Sequence, residues 1–187
     1  MSELSLGPDV VQRLIPHRPP LLMVDRVHAF VGGARPSLVA SRFISANEPV
    51  FAGHFPGMSL WPGVYTIEGL GQSTLLCAVL AHLVMAHGEP VLDSLRGLER
   101  AASRVTAPPK DELLASLGSP DARAGVAAHV DVKLLAPVFA GCELRYRVEQ
   151  THVVDALARF SVVAEVGGVP VARGTMTGAI GAGVRTA

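Results

Sequence analysis

Three polar residues, His54, Glu68 and Gln72, lie in a short stretch that also carries Gly63 and Val64. An imidazole can take up or release a proton near neutral pH. Glu68 has apolar neighbours, which favour the protonated carboxylic acid and therefore a proton donor. Gln72 follows one helical turn later on the same face, where its amide is expected to orient Glu68. The stretch predicts a base and an acid that serve one reaction.

Pro62 opens a helical pattern that continues to about His87. Proline is common at the first helical position because its missing N–H is not needed there. The free N–H groups of Gly63 and Val64 are then expected to point out of the helix N-terminus, where the macrodipole favours negative charge on a carbonyl oxygen. Gly63 also allows a substrate to approach the backbone closely. We therefore predict an oxyanion site beside the acid and the base.

Each of these residues is weaker evidence than the set. A lone histidine is more often a structural residue of a loop or core than a catalytic one. A glutamate among apolar residues is more informative, because unpaired carboxylates are seldom buried. The combination at this spacing is what favours chemistry.

Composition argues against several classes of function. The length of 187 residues suits one domain, predicted to span residues 1–187. Sixteen basic and sixteen acidic residues leave no net charge, which argues against nucleic-acid binding and against a polybasic membrane surface. Because 49% of the residues are apolar and only 17% are charged, we expect the chain to cover surface in an oligomer.

Neither targeting nor metal binding is indicated. Residues 1–7 lack the basic start and apolar core of a signal peptide, and the apolar stretch Leu75–Ala86 is too short to cross a bilayer. We therefore predict a cytoplasmic protein without a membrane span. Cys77 and Cys142 are not part of a CxxC pair, and the scattered histidines have no ligand spacing, so no metal site is expected.

Periodicity predicts an α+β fold in which an antiparallel β-sheet is wrapped around one long central helix. That helix is apolar nearly all round, so it must be surrounded by protein, and Gly69 and Gly71 suggest the close approach of another backbone. Residues 103–126, rich in Ala, Pro, Gly and Asp, are predicted to be an inserted surface excursion with a short helix at 111–117. The other predicted elements are a helix at Asp9–Ile15 and strands at Leu21–Phe30, Ser37–Ser45, Leu95–Ala102, His129–Pro137, Cys142–Val154, Leu157–Val166 and Val169–Ile180.

The candidate residues stand within longer motifs: GHFPG at 53–57, PGV at 62–64 and IPHRPPLLMVDRV at 15–27. With Glu68 and Gln72 in the same frame, these motifs resemble the FabZ/FabA family of 3-hydroxyacyl-acyl carrier protein dehydratases, which have the hot-dog fold. The segment KLLAPVFAGCEL at 133–144 looks like a degraded form of the family's RRPVVPGDQL segment. The resemblance is strong from about residue 14 to residue 72 and looser beyond.

The resemblance implies a role for each residue. His54 would take the proton from C2 of the substrate, Glu68 would protonate the departing C3 hydroxyl, and the N–H of Gly63 would hold the thioester carbonyl. The two side chains would come from different protomers of a homodimer, with a trimer of dimers left open as a larger assembly. The substrate would be a (3R)-hydroxyacyl chain on the phosphopantetheine arm of acyl carrier protein, and no other cofactor is implied.

The acid position and several departures refine this expectation. Glutamate at position 68, where the FabA branch carries Asp, favours the FabZ branch and plain dehydration to a trans-2-enoyl product, in fatty acid or polyketide-like biosynthesis. Phe55 and Trp61 are further candidates for substrate contact, and the indole of Trp61 is expected to narrow or redirect the acyl tunnel. Pro19 replaces an aromatic residue, and residues 139–141 replace the family's PGD turn. These changes suggest a specialised relative.

Two other functions are weighed against dehydration. A hot-dog acyl thioesterase needs a carboxylate positioned for water, and His54 argues against it. A non-catalytic acyl-binding partner subunit would be expected to have lost His54 or Glu68, and both are present. His17, Asp25 and Arg26 also match the family and are interpreted as structural or interface residues, because buried charges tend to be paired.

Acyl carrier protein is acidic as a class, so a basic patch is expected at the rim of the tunnel. The candidate residues are Arg96, Arg100, Arg104 and Lys133.

Overall fold

The computed structural model describes residues 2–102, 125–155 and 157–180. The described strands form one antiparallel sheet in the order β1-β2-β3-β5-β6-β7-β4, which leaves β1 and β4 at the two edges. The elements in chain order are β1 (Ser2–Leu6), α1 (Pro8–Leu14), β2 (Arg26–Val31), β3 (Ser37–Ile44), a 3-10 helix (Pro49–Ala52), α2 (Gly63–His87), α3 (Pro90–Ala102), β4 (Gly125–Leu134), β5 (Cys142–Val154), β6 (Leu157–Val166) and β7 (Val169–Ile180).

Helix α2 is enclosed by the sheet because it is apolar on almost every side. Leu70, Leu76 and Leu80 are fully buried, and the helix contacts β3, β4, β5, β6 and β7. By length and composition α2 could cross a membrane, yet 61% of its most apolar window is buried inside the protein. It is the core helix of the fold. A long helix enclosed by an antiparallel sheet is the hot-dog arrangement, so the predicted α+β fold class is confirmed.

The tightest contact between α2 and the sheet lies at Gly69. A Cβ atom at this position would lie 2.2 Å from the hydroxyl oxygen of Tyr146 on β5. Tyr146 is fully buried there, and burial raises the pKa of its hydroxyl. The close neighbour predicted at Gly69 and Gly71 is therefore a side chain and not a backbone, since Met176 occupies the corresponding space at Gly71.

The C-terminal hairpins follow the sequence pattern closely. Strands β5, β6 and β7 have the predicted bounds. On β5 the buried residues are Leu144, Tyr146 and Val148, which is the alternation that the sequence displays. Gly167 and Gly168, with φ angles of 58° and 82°, form the predicted two-residue turn between β6 and β7.

The predicted strand Leu95–Ala102 is wrong, because these residues form the second half of α3. The buried residues Val91, Leu92, Leu95 and Leu98 have helical spacing, which becomes visible only when the preceding turn is included. Strand β1 was not predicted. It has five residues, of which Leu4 and Leu6 point into the core.

Several predicted boundaries also need correction. Residues 21–25 precede β2. Side chains hold Leu21, Leu22 and Met23, whereas the backbone N–H of Asp25 donates to the carbonyl of Ser41 on β3. Strand β4 begins at Gly125 and ends at Leu134, so Gly125 and Val126 belong to the sheet and not to the predicted excursion. Residues 103–124, with the predicted short helix, lie outside the described residues. Pro62 is the N-cap of α2 and not its first residue.

We expect Gly69→Ala to lower the free energy of unfolding by about 1–3 kcal/mol, because the methyl group would displace the Tyr146 ring. Gly97→Ala in α3 is the matched control: nothing lies within 4 Å of its new Cβ, so it should stabilise the protein by roughly 0.5–1 kcal/mol. Urea unfolding of both variants at one protein concentration tests this. Equal stability of the two variants would contradict the contact.

Candidate active site

The loop that carries His54 is fastened to the segment before β5. The N–H of Trp61 donates to the carbonyl of Val138 at 2.8 Å, and the N–H of Ala140 donates to the carbonyl of Ser59 at 3.1 Å. These bonds hold the residues that follow His54 against residues 138–140.

The proton on His54 can be assigned from its partner. Nδ1 lies 2.9 Å from the carbonyl oxygen of Leu60. A carbonyl oxygen only accepts hydrogen bonds, so the neutral imidazole carries its proton on Nδ1 and keeps a lone pair on Nε2. The geometry therefore makes Nε2 the basic atom.

A cavity of about 350 Å³ lies in front of this histidine. The phenyl ring of Phe55 stacks on the imidazole with ring centroids 4.3 Å apart, but it is not among the residues that line the cavity. The residues that line the cavity are His54, Leu60, Trp61, Gly63, Thr66, Leu134, Leu135, Ala136, Pro137, Val138 and Val171.

Trp61 lines this cavity but is only 3% exposed. Its indole packs edge-on against Phe51 and Tyr65, with centroid distances of 6.2 and 5.3 Å, and the guanidinium of Arg42 lies 5.4 Å from its centroid. A ring held on several sides forms part of a fixed wall, since rotation would break these contacts. Its effect on the length of an acyl chain stays a prediction.

The start of α2 reaches the same cavity through Gly63. The N–H groups of Tyr65 and Thr66 donate to the carbonyl of Pro62, whereas those of Gly63 and Val64 have no acceptor in the described part of the chain. The space beside Gly63 is already taken, because a Cβ atom there would lie 2.3 Å from Cδ1 of Leu134. A side chain at position 63 would therefore have to displace the end of the Leu134 side chain on β4.

Gln72 holds Glu68 at a separate position on α2. The side-chain oxygen of Gln72 accepts from the backbone N–H of Met23 at 2.8 Å, so the amide nitrogen must face the other way. That nitrogen donates to the carbonyl of Leu21 at 2.6 Å and to Oε1 of Glu68 at 2.8 Å. Gln72 is 1% exposed, so water does not replace these partners. One oxygen of the Glu68 carboxyl group is therefore fixed.

His17 approaches the same oxygen from the loop between α1 and β2. Its Nε2 lies 3.5 Å from Oε1 of Glu68. Burial lowers the pKa of His17, the Glu68 carboxyl group opposes this, Arg18 adds to it, and the net shift is downward. The imidazole is therefore neutral at pH 7. The sequence did not predict that His17 lies near Glu68, because the two residues are far apart in the chain and are not related by helical spacing.

Arg42 on β3 holds the loop of residues 21–25 from its other side. It donates to the carbonyl of Leu22 at 2.6 Å and pairs with Glu48 at 2.7 Å. Asp25 lies 3.6 Å from the same guanidinium and accepts from the N–H of Phe43 at 2.8 Å.

Arg26 donates to the hydroxyl of Ser5. The contacts of Asp25 and Arg26 fit the structural role expected of both residues.

His54 and Glu68 line different cavities of the one chain. The Glu68 cavity, of about 220 Å³, is lined by His17, Glu68, Gln72, the β4 residues 125–127 and Val130, and residues of α2, β6 and β7. The structure thus brings Gly63 and Trp61 to His54, and Gln72 to Glu68, but it does not bring Glu68 and His54 together within one protomer. Residues of strand β4 line both cavities.

Lowered pKa values predict acid sensitivity of the fold. Burial lowers the pKa of both His17 and His28 from the ordinary value of 6.5, so the unfolded chain takes up these protons first as the pH falls. The free energy of unfolding should therefore decrease as the pH falls below 6.5.

We expect His17→Gln to reduce this decline, because glutamine does not titrate, and His17→Gln with His28→Gln to reduce it further. Unfolding free energies measured between about pH 7.5 and about pH 5.5 provide the test. An unchanged slope in the double variant would rule out the neutral histidines as its source.

Comparison with known proteins gives a consistent family. The family model of the FabA-like domain matches residues 15–136. FabZ of Anaeromyxobacter sp. (strain Fw109-5), a 3-hydroxyacyl-[acyl-carrier-protein] dehydratase, is 43% identical over 108 residues, which are 56% of this chain and 65% of the relative. FabZ of Aeromonas salmonicida is 34% identical over 130 residues, or 68% of this chain and 83% of the relative. The chain thus spans just under two thirds of the Anaeromyxobacter relative, at 65% of its length.

A solved structure agrees in fold. A chain of the dehydratase heterocomplex ApeI:P from Xenorhabdus doucetiae has a TM-score of 0.58 and 15% identity, over 91% of this chain and 90% of that chain. The match to the family model includes the His54 loop, the start of α2, Glu68 and Gln72. This chain therefore belongs to the FabA-like family of hot-dog proteins, in its FabZ branch.

Proposed function

We propose that this chain dehydrates (3R)-hydroxyacyl chains on acyl carrier protein. Nε2 of His54 takes the proton from C2, and the electron pair of that C–H bond forms the double bond to C3. The C3–O bond breaks as Glu68 protonates the hydroxyl group, which leaves as water. The free N–H groups at the start of α2 stabilise the charge that develops on the thioester oxygen. The observation that carries this proposal is that His54, with its lone pair on Nε2, shares a cavity with Gly63 at the start of α2.

The proposal requires a second protomer, because His54 and Glu68 line different cavities. Strand β4 is an edge of the sheet with exposed apolar residues Val126, Val130 and Leu134. An exposed apolar edge is a template for pairing with another strand. We therefore propose that β4 pairs with β4 of a second copy.

Two-fold symmetry would then bring the Glu68 cavity of one protomer to the His54 cavity of its partner. In an isologous interface the two copies of β4 run antiparallel, so the start of one faces the end of the other. Residues at the start of β4, Gly125 and Val126, line the Glu68 cavity, and Leu134 at its end lines the His54 cavity. Pairing the two strands brings the acid of one protomer toward the base of its partner. A trimer of such dimers is compatible with this interface.

Mixed dimers test the shared site. His54→Ala and Glu68→Gln should each abolish dehydration of a hydroxyacyl thioester, measured by enoyl absorbance. When the two inactive variants are unfolded together and refolded, half of the dimers are mixed and each mixed dimer has one intact site. We expect about a quarter of the wild-type activity to return.

The control is each variant refolded by itself, which should stay inactive. No recovery in the mixture, with mixed dimers present by mass spectrometry, would mean that each site is built within one chain. Release of free acid in place of enoyl product would indicate a thioesterase.

Acyl carrier protein is proposed to dock beside the His54 cavity. Lys133 on β4 lies opposite Arg173 on β7, and both are exposed. Neither has an ion-pair partner in the described part of the chain. Two like charges at adjacent positions repel each other, and an acidic partner would relieve this. Their neighbours Leu134 and Leu135 line the His54 cavity, so a carrier bound here would direct its arm inward.

Arg96 is not part of this proposed surface, since it pairs with Asp93 and donates to the carbonyl of Glu3. The side chain of Arg100 and the whole of Arg104 lie outside what the structure describes. We also propose that the reaction takes place in the cytoplasm.

We expect Lys133→Glu with Arg173→Glu to raise the KM for a carrier-bound substrate by roughly 10-fold or more, because two repulsive charges replace two attractive ones. The kinetics with a pantetheine thioester that lacks the carrier should change little. Arg96→Glu is the matched control and should not alter either KM. Equal effects on both substrates would remove these residues from carrier recognition.

A further inference from the structure

The two oxygens of the Glu68 carboxyl group have different surroundings. Oε1 accepts the amide of Gln72 at 2.8 Å and faces Nε2 of His17 at 3.5 Å. Oε2 has no hydrogen-bond partner in the described part of the chain. The carboxyl side chain is 34% exposed to the cavity, whereas the Gln72 amide below it is buried.

We propose that His17 is a positioning residue for the proton donor Glu68. Its Nε2–H closes to a hydrogen bond with Oε1 when the substrate is bound, so that the proton to be transferred resides on Oε2. This inference rests on the proposed dehydration and adds a residue to it.

The proton on His17 follows from its two nitrogens. Nδ1 is buried and has no hydrogen-bond partner in the described chain. Oε1 of Glu68, which Nε2 faces, accepts the Gln72 N–H and can likewise only accept from His17. A buried N–H without an acceptor is also rarer than an unpaired lone pair, which disfavours a proton on Nδ1. The neutral imidazole therefore carries its proton on Nε2, which faces Glu68. Burial, which lowers the pKa of His17, keeps the ring neutral.

Two donors on one oxygen decide where the acid proton can be. An oxygen that accepts from Gln72 and from His17 acts as the carbonyl oxygen of the carboxylic acid. The hydroxyl of the acid is then the other oxygen, Oε2, which has no competing partner in the described chain. Without His17, rotation about the last side-chain bond would be restrained by Gln72 only, and Oε2 would hold its direction less well.

The charged and titratable groups near Glu68 come from several elements. His17 and Arg18 lie in the loop before β2. Tyr146 on β5 is close enough for Glu68 to add to the rise in its pKa, although burial is the main cause. Tyr146 is fully buried, so among these three residues His17 is the one that approaches Oε1 directly.

The test separates positioning from packing. His17→Leu removes the N–H donor and replaces the imidazole with an apolar side chain of similar size, whereas His17→Gln keeps an N–H donor. With the pantetheine thioester, we expect kcat of His17→Leu to fall roughly 10- to 100-fold with KM within about 2-fold. His17→Gln should recover most of the lost kcat.

His28→Leu is the matched control. His28 is also partly buried, with a pKa lowered by burial, but it bonds to Ser41 on the sheet, away from both cavities. Its kcat should stay within about 2-fold of the wild type. Urea midpoints of all three variants identify a loss of kcat that merely follows from unfolding.

The outcomes are distinguishable. Three results would overturn the positioning role and leave the proposed dehydration intact. They are a wild-type kcat in His17→Leu, an equal loss of kcat in His17→Leu and His17→Gln, and a change in KM without a change in kcat. A wild-type protein that forms no enoyl product would overturn the proposed function itself, and this inference with it.

Discussion

The side-chain amide of Gln72 is the interaction on which the arrangement around Glu68 depends. It is buried in the central helix, and its three hydrogen bonds join α2 to the backbone of Leu21 and Met23 and to the carboxyl group of Glu68. A buried amide without these partners would be strongly unfavourable. The loop before β2 is therefore held against the helix by the same group that fixes the Glu68 carboxyl group.

Arg42 gives this loop its second attachment. It bonds the carbonyl of Leu22 and pairs with Glu48, while its guanidinium lies over the indole of Trp61. Trp61 follows Leu60, whose carbonyl oxygen orients His54. The surroundings of Glu68 and of His54 are thus connected through one arginine and one loop, although the two side chains line different cavities.

The sequence was most informative where one periodicity or one motif acts within a short segment. The bounds of β5 and β6 could be predicted because their alternation is regular and Gly167-Gly168 marks the turn that follows. Helix α3 was missed because its apolar spacing starts directly after Pro90, and the window that began at Leu95 contained too few residues to show a helical period.

The site shows the same distinction. The contact between Gln72 and Glu68 follows from a spacing of one helical turn, so it could be expected from the sequence. The approach of His17 to Glu68, and of Leu134 to Gly63, depends on how remote segments pack. No periodicity of a single chain segment encodes such contacts. The sequence also could not show that β4 begins at Gly125, because the alternation there merges with a segment rich in small residues.

The side chain of Leu134 against Gly63 has a consequence for how this site responds to change. Leu134 belongs to the exposed edge strand, and it fills the space in which any larger residue at position 63 would stand. The side chain of Leu134 thus lies against the first turn of α2, where the N–H groups of Gly63 and Val64 have no acceptor among the described residues. A larger residue at position 63 would have to move the end of Leu134, whereas a smaller residue at position 134 would make room for it. The edge of the sheet therefore limits which side chains the end of the central helix can carry.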